Sequence, residues 1–528
     1  MPTLNWIGKE AVVNHHREVP YHLLRCDEKL SVGDPGSGNL LVQGDNLLAL
    51  KALLPYYAGQ VKCIYIDPPY NTGNENWVYN DNVNSPEIRK WLGQVVGGEA
   101  EDLSRHDKWL CMMYPRLALL REFLTQDGVM LVSLDETELA NLRLILDEIF
   151  GKSSFIGSFV WNTRNTDNRV KTYLSPDHEH IVAYGRSKGV SILGRRIDRS
   201  DFKNPDNDPR GPYVTDPLTG KATAAERPNL HAYSMEQPGT SNVWKPDPAK
   251  GWITDEAGYK ALLAENRIWW PPNPTTGKPR KKRFLTETQE RMPASSFWTE
   301  FRAISGAKEV GDIVGERVFA FPKPLSVIQK VIDHCAPPGS IVLDSFAGTG
   351  TTAHAVLAQN KLDGGKRRFI LVEMDEGIAP GVTAHRIRKI IEGYNDAPSL
   401  GGGFRFCNLS HPIFDENGQI NAEVRFADLA AHVFFTETGE PVPKRPSGKQ
   451  PSPLLGVCNG TAVYLLFNGI LGDKRPGGGN VLTSRILDDL PAHDGPKVIY
   501  GEGCRLGAAR LKRAGITFKQ VPYEIKVS

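Results

Sequence analysis

Four consecutive residues, Asp67-Pro68-Pro69-Tyr70, follow the apolar run Val61 to Ile66 and bring together a carboxylate, two rigid peptide units and an aromatic ring. This set suits an exocyclic amine on a planar base. The lone pair of such an amine is conjugated into its ring, which makes it a poor nucleophile. A carboxylate and a fixed carbonyl that both accept from the NH₂ favour a tetrahedral nitrogen and stabilise the positive charge developing on it. Pro69 biases Pro68 towards an extended geometry and so directs the Pro68 carbonyl. Tyr70 can stack on the base.

A second set, Asp344-Ser345-Phe346-Ala347-Gly348-Thr349-Gly350-Thr351-Thr352, lies between a strand-like and a helix-like segment. Gly348 and Gly350 allow close backbone approach to a ligand, and the helix that follows offers free N–H groups. Glu373 comes 23 residues after Gly350, at the end of the next apolar run. A carboxylate there can accept from the ribose hydroxyls of an adenosine-containing cofactor. A nicotinamide-binding turn shares this spacing, Gly348 to Ala353 with a distal acid. No G-x-x-x-x-G-K-[ST] occurs, which excludes a P-loop nucleotidase for this chain.

These residues need an alternating scaffold. Leu40 to Gln43 reads as a buried strand, Asp45-Asn46 as the cap of a helix through Leu53, and Val61 to Ile66 as a strand that two prolines must end. A helix over Trp109 to Gln126, interrupted at Pro115, leads to a strand at Val129 to Leu134. Asp135 and Glu138 then read as a helix cap. From about Arg195 the chain becomes rich in Pro, Gly, Asn, Asp and Trp; alternation resumes at Phe321 with a helix over Leu325 to His334 and strands at Ile341 to Leu343 and Phe369 to Val372. The expected organisation is an arm (1–39), a core (40–195), an insertion (196–320), a second core part (321–400) and a C-terminal domain (401–528) with strands at 462–467 and 517–525. The alternation points to a parallel α/β sheet.

Composition narrows the class. The chain has 528 residues, 63 Lys+Arg against 61 Asp+Glu, and 40% apolar residues, the balance of a folded multi-domain protein rather than a disordered one. No apolar run reaches the roughly 18 residues a bilayer span needs. The start of the sequence lacks the pattern of a signal peptide. Seven scattered cysteines without a C-x-x-C pair argue against a zinc knuckle or a disulfide framework and for a reducing, cytoplasmic setting. With net charge +2, any nucleic-acid partner must be held by local basic patches.

Gln43 to Gly73, Pro322 to Leu325, Asp344 to Val356, Arg367 to Glu373 and Ser175 to Ser187 together resemble the modification subunits of type III restriction–modification systems. The resemblance covers most of residues 40–395. It implies a Rossmann-like methyltransferase sheet, circularly permuted so that the catalytic motif precedes the cofactor motif, with a target-recognition insertion and a small C-terminal α+β domain. It implies N6-adenine methylation of specific DNA sites: Asp67, Pro68, Pro69 and Tyr70 would be catalytic, and S-adenosyl-L-methionine would lie against Asp344, Phe346, Ala347, Gly348 and Gly350. Glu373 would hold the ribose, Asp45 the adenine of the cofactor, and Lys323 would lie near its methionine end. Family membership also implies double-stranded DNA, a homodimer and a restriction subunit with helicase and nuclease activity as partners.

Lys278, Arg280, Lys281, Lys282 and Arg283, flanked by Trp269, Trp270 and Phe284, form a basic cluster expected to contact DNA within the insertion. His178-Glu179-His180 places two imidazoles on one strand face, read as structural or substrate-positioning, with no metal expected. The basic stretch Arg505 to Arg513 is assigned no site. N4-cytosine methylation, a solitary adenine methyltransferase, a catalytically silent DNA-binding subunit and a nicotinamide-dependent oxidoreductase remain as alternatives. C5-cytosine methylation is disfavoured, because no Pro-Cys dipeptide is present.

Overall fold

The computed structural model describes residues 4–72, 105–165, 174–315, 321–415, 417–443 and 452–522. Its centre is a ten-stranded sheet: β1 (His22–Gly33), β2 (Leu40–Gln43), β3 (Val61–Ile66), β4 (Leu124–Leu134), β5 (Phe155–Asn162), β6 (His178–Gly185), β7 (Phe297–Trp298), β8 (Ile341–Asp344), β9 (Arg368–Glu373) and β10 (Gly403–Pro412). Across the sheet the order is β1-β10-β2-β9-β8-β3-β4-β6-β5-β7. From β10 to β4 all neighbours are parallel; β1 and β6 run antiparallel to the strands beside them. Parallel strands are covered on both faces and therefore need apolar side chains throughout. The central pair complies, with Val61, Cys63, Ile64, Ile66 and Ile341 to Leu343 all buried.

The flanking helices follow the expected boundaries closely. Helix α1 (Asn46–Tyr57) is capped by Asp45, whose carboxylate accepts from Leu47 N at 2.9 Å and Leu48 N at 3.1 Å. Helix α2 (Arg105–Phe123) runs unbroken through Pro115, where an interruption was expected, because eleven of its residues are buried against the core and tertiary packing outweighs the lost hydrogen bond. Next come α3 (Leu139–Phe150), α4 (Ile304–Val314), α5 (Leu325–Cys335), α6 (Thr351–Asp363), α7 (His385–Glu392) and α8 (Phe426–Thr438). Glu138 does not cap α3 with its side chain; it is fully buried and accepts from Asn71, His106 and Asn141 instead.

Several boundaries are corrected. The expected N-terminal arm contributes β1 to the sheet, and the expected C-terminal domain gives up β10 to it, since the two pair along their length. The chain divides into one unit of residues 1–193 and 295–528 and a second of 194–294. The insertion thus ends well before 320, and β7 and α4 belong to the core unit. Within the insertion, Tyr213–Pro217, Arg280–Phe284 and Ile268–Trp269 form a three-stranded sheet over a cluster that includes Trp244 and Trp252. Beyond β10, strands Leu454–Cys458, Thr461–Leu465, Lys497–Gly501 and Ile516–Gln520 make a separate, mostly parallel sheet. The part of the expected last strand beyond Pro522 lies outside the described residues.

Two long-range ties hold the β1-β10-β2-β9 side together. Cys26 and Cys407 face each other across β1 and β10 and form a disulfide, a single bridge where the scattered cysteines argued against a disulfide framework. Buried Asn39 accepts from Phe369 N at 2.8 Å and donates to the Gly403 carbonyl at 2.8 Å, joining the starts of β9 and β10. Asn39→Ala leaves the buried Phe369 N–H unpaired, while the Gly403 carbonyl keeps the Ser37 hydroxyl at 2.8 Å. The expected loss is about 1–3 kcal/mol, seen as a lower denaturant midpoint at unchanged slope.

Candidate active site

In open α/β sheets, ligands sit outside the carboxyl ends of the strands, where the connections diverge. Here β3 and β8 are parallel neighbours, with Leu343 opposite Ile64. Their carboxyl ends lead directly into Asp67–Tyr70 and Ser345–Gly350, so the two motifs share one edge of the sheet. Between them opens a cavity of about 930 Å³. Asp67, Pro68, Pro69 and Tyr70 line one wall; Asp344, Phe346, Ala347 and Gly348 line another, and Lys323 joins them.

Lys323 is the centre of the charge arrangement. Its Nζ donates to the Tyr70 hydroxyl at 2.7 Å and lies 3.0 Å from Asp67 and 3.3 Å from Glu179. The Tyr70 hydroxyl is 3.0 Å from both Asp67 Oδ1 and Glu179 Oε2 and can donate to either. Burial pushes the Asp67 carboxyl above the usual range; Lys323 opposes this and Glu179 adds to it. Burial also disfavours the Lys323 ammonium, but the two carboxylates outweigh it and raise its pKa. Two acids and one cation therefore share a low-dielectric pocket, in which the cation favours the charged form of Asp67 and burial disfavours it.

The surrounding loop is fixed from behind. The Trp109 indole donates to the Pro69 carbonyl at 2.7 Å, which holds the double-proline turn. Asn71 adopts a left-handed conformation at φ 60° and donates to buried Glu138. On the other wall, Asp344 accepts from Phe346 N at 3.0 Å and the Thr352 hydroxyl at 2.6 Å. Burial pushes its carboxyl up to about 7. Gly350 caps α6 at φ 78°, and a Cβ there would lie 3.0 Å from Thr383 Cγ2. Beneath the turn, buried Arg386 donates to the Thr349 and Thr351 hydroxyls, both at 2.9 Å.

Other expected site residues lie off this wall. Glu373 is buried behind the turn and accepts from Gly348 N at 2.7 Å and Asp375 N at 3.0 Å. Asp45 is committed to its cap and to Arg116, 3.1 Å away. The basic cluster belongs to the separate insertion unit, and the structure corrects its simplest reading. Lys282 is buried between Asp206 at 2.5 Å and Asp208 at 3.1 Å, so it is part of the insertion's interior and cannot reach DNA phosphates. Arg283 pairs with Asp216 at 2.8 Å, Lys278 lies 3.6 Å from Asp247, and Arg280 donates to Thr215. Trp270, half-buried, stacks on Trp244 at 5.3 Å.

With this geometry in view, known proteins supply the comparison. Residues 61–383, from β3 through both motifs, match the N6/N4 methyltransferase family model, described as a DNA methylase. The chain belongs to this DNA methylase family. The chain is 31% identical to the type III restriction-modification enzyme StyLTI Mod subunit of Salmonella typhimurium, over 74% of this chain and 60% of that protein. It is 29% identical to the EcoPI Mod subunit of Escherichia phage P1, covering 82% and 74%. It is also 30% identical to the type II methyltransferase M.KpnI of Klebsiella pneumoniae, covering 69% and 87%. The chain thus spans about three-fifths of the StyLTI subunit's length.

The sequence reading missed Glu179, Trp109, Glu138 and Arg386. Only Glu179 carried a local signal, as the residue between two histidines, and that signal drew attention to its neighbours. Asp344 supplies a test of the site's electrostatics. Its folded pKa of about 7 exceeds that of an unfolded aspartate. Folding thus favours the neutral form, and the charge becomes a growing penalty as pH rises from the unfolded pKa to the folded one. Asp344→Asn is expected to raise the Tm, relative to the unaltered protein, more at about pH 8.5 than at about pH 5, as read by thermal unfolding at both values.

Proposed function

We propose that the methylase transfers a methyl group from S-adenosyl-L-methionine to the N6 amine of an adenine withdrawn from duplex DNA, and that it serves as the modification subunit of a restriction–modification system. One observation carries this reading. The carboxylate and stacking ring of Asp67–Tyr70 share a single cavity with the glycine turn of β8, although about 280 residues separate them in the chain. A nicotinamide oxidoreductase would have no use for the first motif.

The residues present fit this cofactor. Phe346 and Ala347 give an apolar wall, and the left-handed Gly350 leaves a turn in which a side chain would crowd Thr383. Glu373 fixes the Gly348 amide from behind the turn, at the end of β9 where the ribose of the cofactor is proposed to lie. Asp45 is left out of the set, because Arg116 and the α1 cap occupy its carboxylate. Bound here, S-adenosyl-L-methionine supplies an electrophilic sulfonium methyl.

The chain's own residues orient the amine. Asp67 and the Pro68 carbonyl accept its two hydrogens, which turns the nitrogen lone pair out of conjugation, while Tyr70 stacks on the base. In the structure Lys323 Nζ lies 3.0 Å from Asp67, donates to the Tyr70 hydroxyl and lies 4.7 Å from the centre of the Tyr70 ring. The target base displaces Lys323 from Asp67, with Glu179 retaining the ammonium. On this reading Lys323 belongs to the amine subsite, where the sequence pointed to the methionine end of the cofactor. The insertion, residues 194–294, is the proposed target-recognition domain, offering Lys278, Arg280, Lys281 and Arg283 to phosphates. Double-stranded DNA, a second copy of this chain and a restriction subunit are the proposed partners.

Expression of the protein alone in a methylation-free bacterial host, followed by modification-sensitive sequencing of the genome, tests the reaction. N6-methyladenine confined to one motif is the expected result; N4-methylcytosine overturns the choice of base, and an unmodified genome sinks methylation by this chain alone. Asp67→Ala should lower kcat by about 10²–10³-fold or more while leaving cofactor affinity nearly unchanged. Removing the Lys323 charge should raise the Asp67 pKa. In Lys323→Met the acid limb of the kcat/KM profile is therefore expected to move to higher pH by roughly 1–3 units; an unmoved limb would mean that the lysine does not control Asp67.

A further inference from the structure

Strand β6 presents different chemistry on its two faces. Glu179 faces Asp67 and Tyr70, whereas His178 and His180, two residues apart, share the opposite face, as strand alternation requires. The methyl-transfer reading uses neither imidazole. Their rings are 5.1 Å apart and inclined at 75°. Both Nε2 atoms converge on one oxygen of Glu136, at 2.7 Å from His180 and 3.6 Å from His178. Pairing of β4 with β6 sets this meeting: Leu134 is opposite His180, so the turn after β4 delivers Glu136 beside both rings.

The three ligand atoms lie within 4.8 Å of one another. A simple ion pair accounts for His180 alone; it leaves unexplained why the second imidazole aims at the same carboxylate oxygen. The side chains of Glu136 and His178 are 65% and 42% exposed, which leaves an open approach from solvent. His178 also lines the catalytic cavity.

We propose that Glu136, His178 and His180 form a binding site for a zinc-class divalent transition metal at the rim of the catalytic cavity. Two imidazoles with one carboxylate and no thiolate suit Zn²⁺, Co²⁺ or Ni²⁺ better than Ca²⁺ or Mg²⁺, which favour oxygen ligands alone. Three protein ligands leave a coordination position open to water or to an oxygen of a bound molecule. The site follows from strand alternation and the β4–β6 register, and it stands whether or not the methyl-transfer reading does.

The test uses the untagged full chain, treated with chelator and titrated with Co²⁺ followed by Zn²⁺. Visible d–d absorption and calorimetry report binding without reference to methylation. One Co²⁺ per chain, displaced by Zn²⁺, is expected, with affinity falling at least about 10- to 100-fold in His180→Ala and in Glu136→Gln. His231→Ala, in the insertion, should bind as the unaltered protein does. Circular dichroism of each variant confirms that it is folded before titration. Absence of one-to-one binding in the unaltered chain overturns the proposal, as does equal affinity in the folded His178→Ala/His180→Ala variant.

Discussion

The parallel pairing of β3 with β8 is the constraint on which the rest of the structure depends. Residues that follow β3 carry the carboxylate and the aromatic ring, and residues that follow β8 carry the glycine turn. Neither motif makes a cavity alone. Only when the strands lie side by side, with their carboxyl ends on one edge, does the space between the two loops become a site. The sheet can hold this pairing because the strands are apolar on both faces and are covered by helices on each side. Much of the remaining architecture serves it: β9 and β2 extend the sheet beyond β8, β4 and β6 extend it beyond β3, and the inserted unit leaves and rejoins the chain without breaking the order.

Electrostatics then decides what the cavity can do. Asp67 and Glu179 arrive from β3 and β6, on either side of β4, and would repel each other in a partly dry pocket. Lys323, from the loop before α5, offsets that repulsion and opposes the upward push of burial on the Asp67 carboxyl. The loop itself is held through backbone and side-chain groups further back, with Trp109 on the Pro69 carbonyl and Glu138 on Asn71. On the opposite wall, Arg386 and Glu373 brace the glycine turn from beneath. Each wall thus rests on buried polar groups whose partners come from distant parts of the chain. Such networks position a site with precision only when every member is satisfied.

The local elements were largely legible. β2 and β3 lie at the residues that their apolar runs marked, Asp45 caps α1 as its position suggested, and α5 and α6 begin within a residue of expectation. These are short-range matters of periodicity, capping and turn chemistry. Departures arose where distant residues settled the outcome. Pro115 did not break α2, because burial outweighed propensity. The first residues became an edge strand, since β10 was there to pair with them. Lys282 went from an expected DNA contact to an interior ion pair, because Asp206 and Asp208 fold over it.

By itself, the sequence determined the chemistry available: a carboxylate followed by a rigid double-proline turn and an aromatic ring, a glycine turn between a strand and a helix, and alternating strands and helices able to carry them. Those follow from residue type and near-neighbour spacing. Tertiary structure alone decided which charges share a pocket. The meeting of Lys323 with Asp67 and Glu179, of Glu136 with His178 and His180, and of Cys26 with Cys407 depends on strand order and register. Strand order is set by how the whole sheet buries its apolar faces, and no local spacing encodes it.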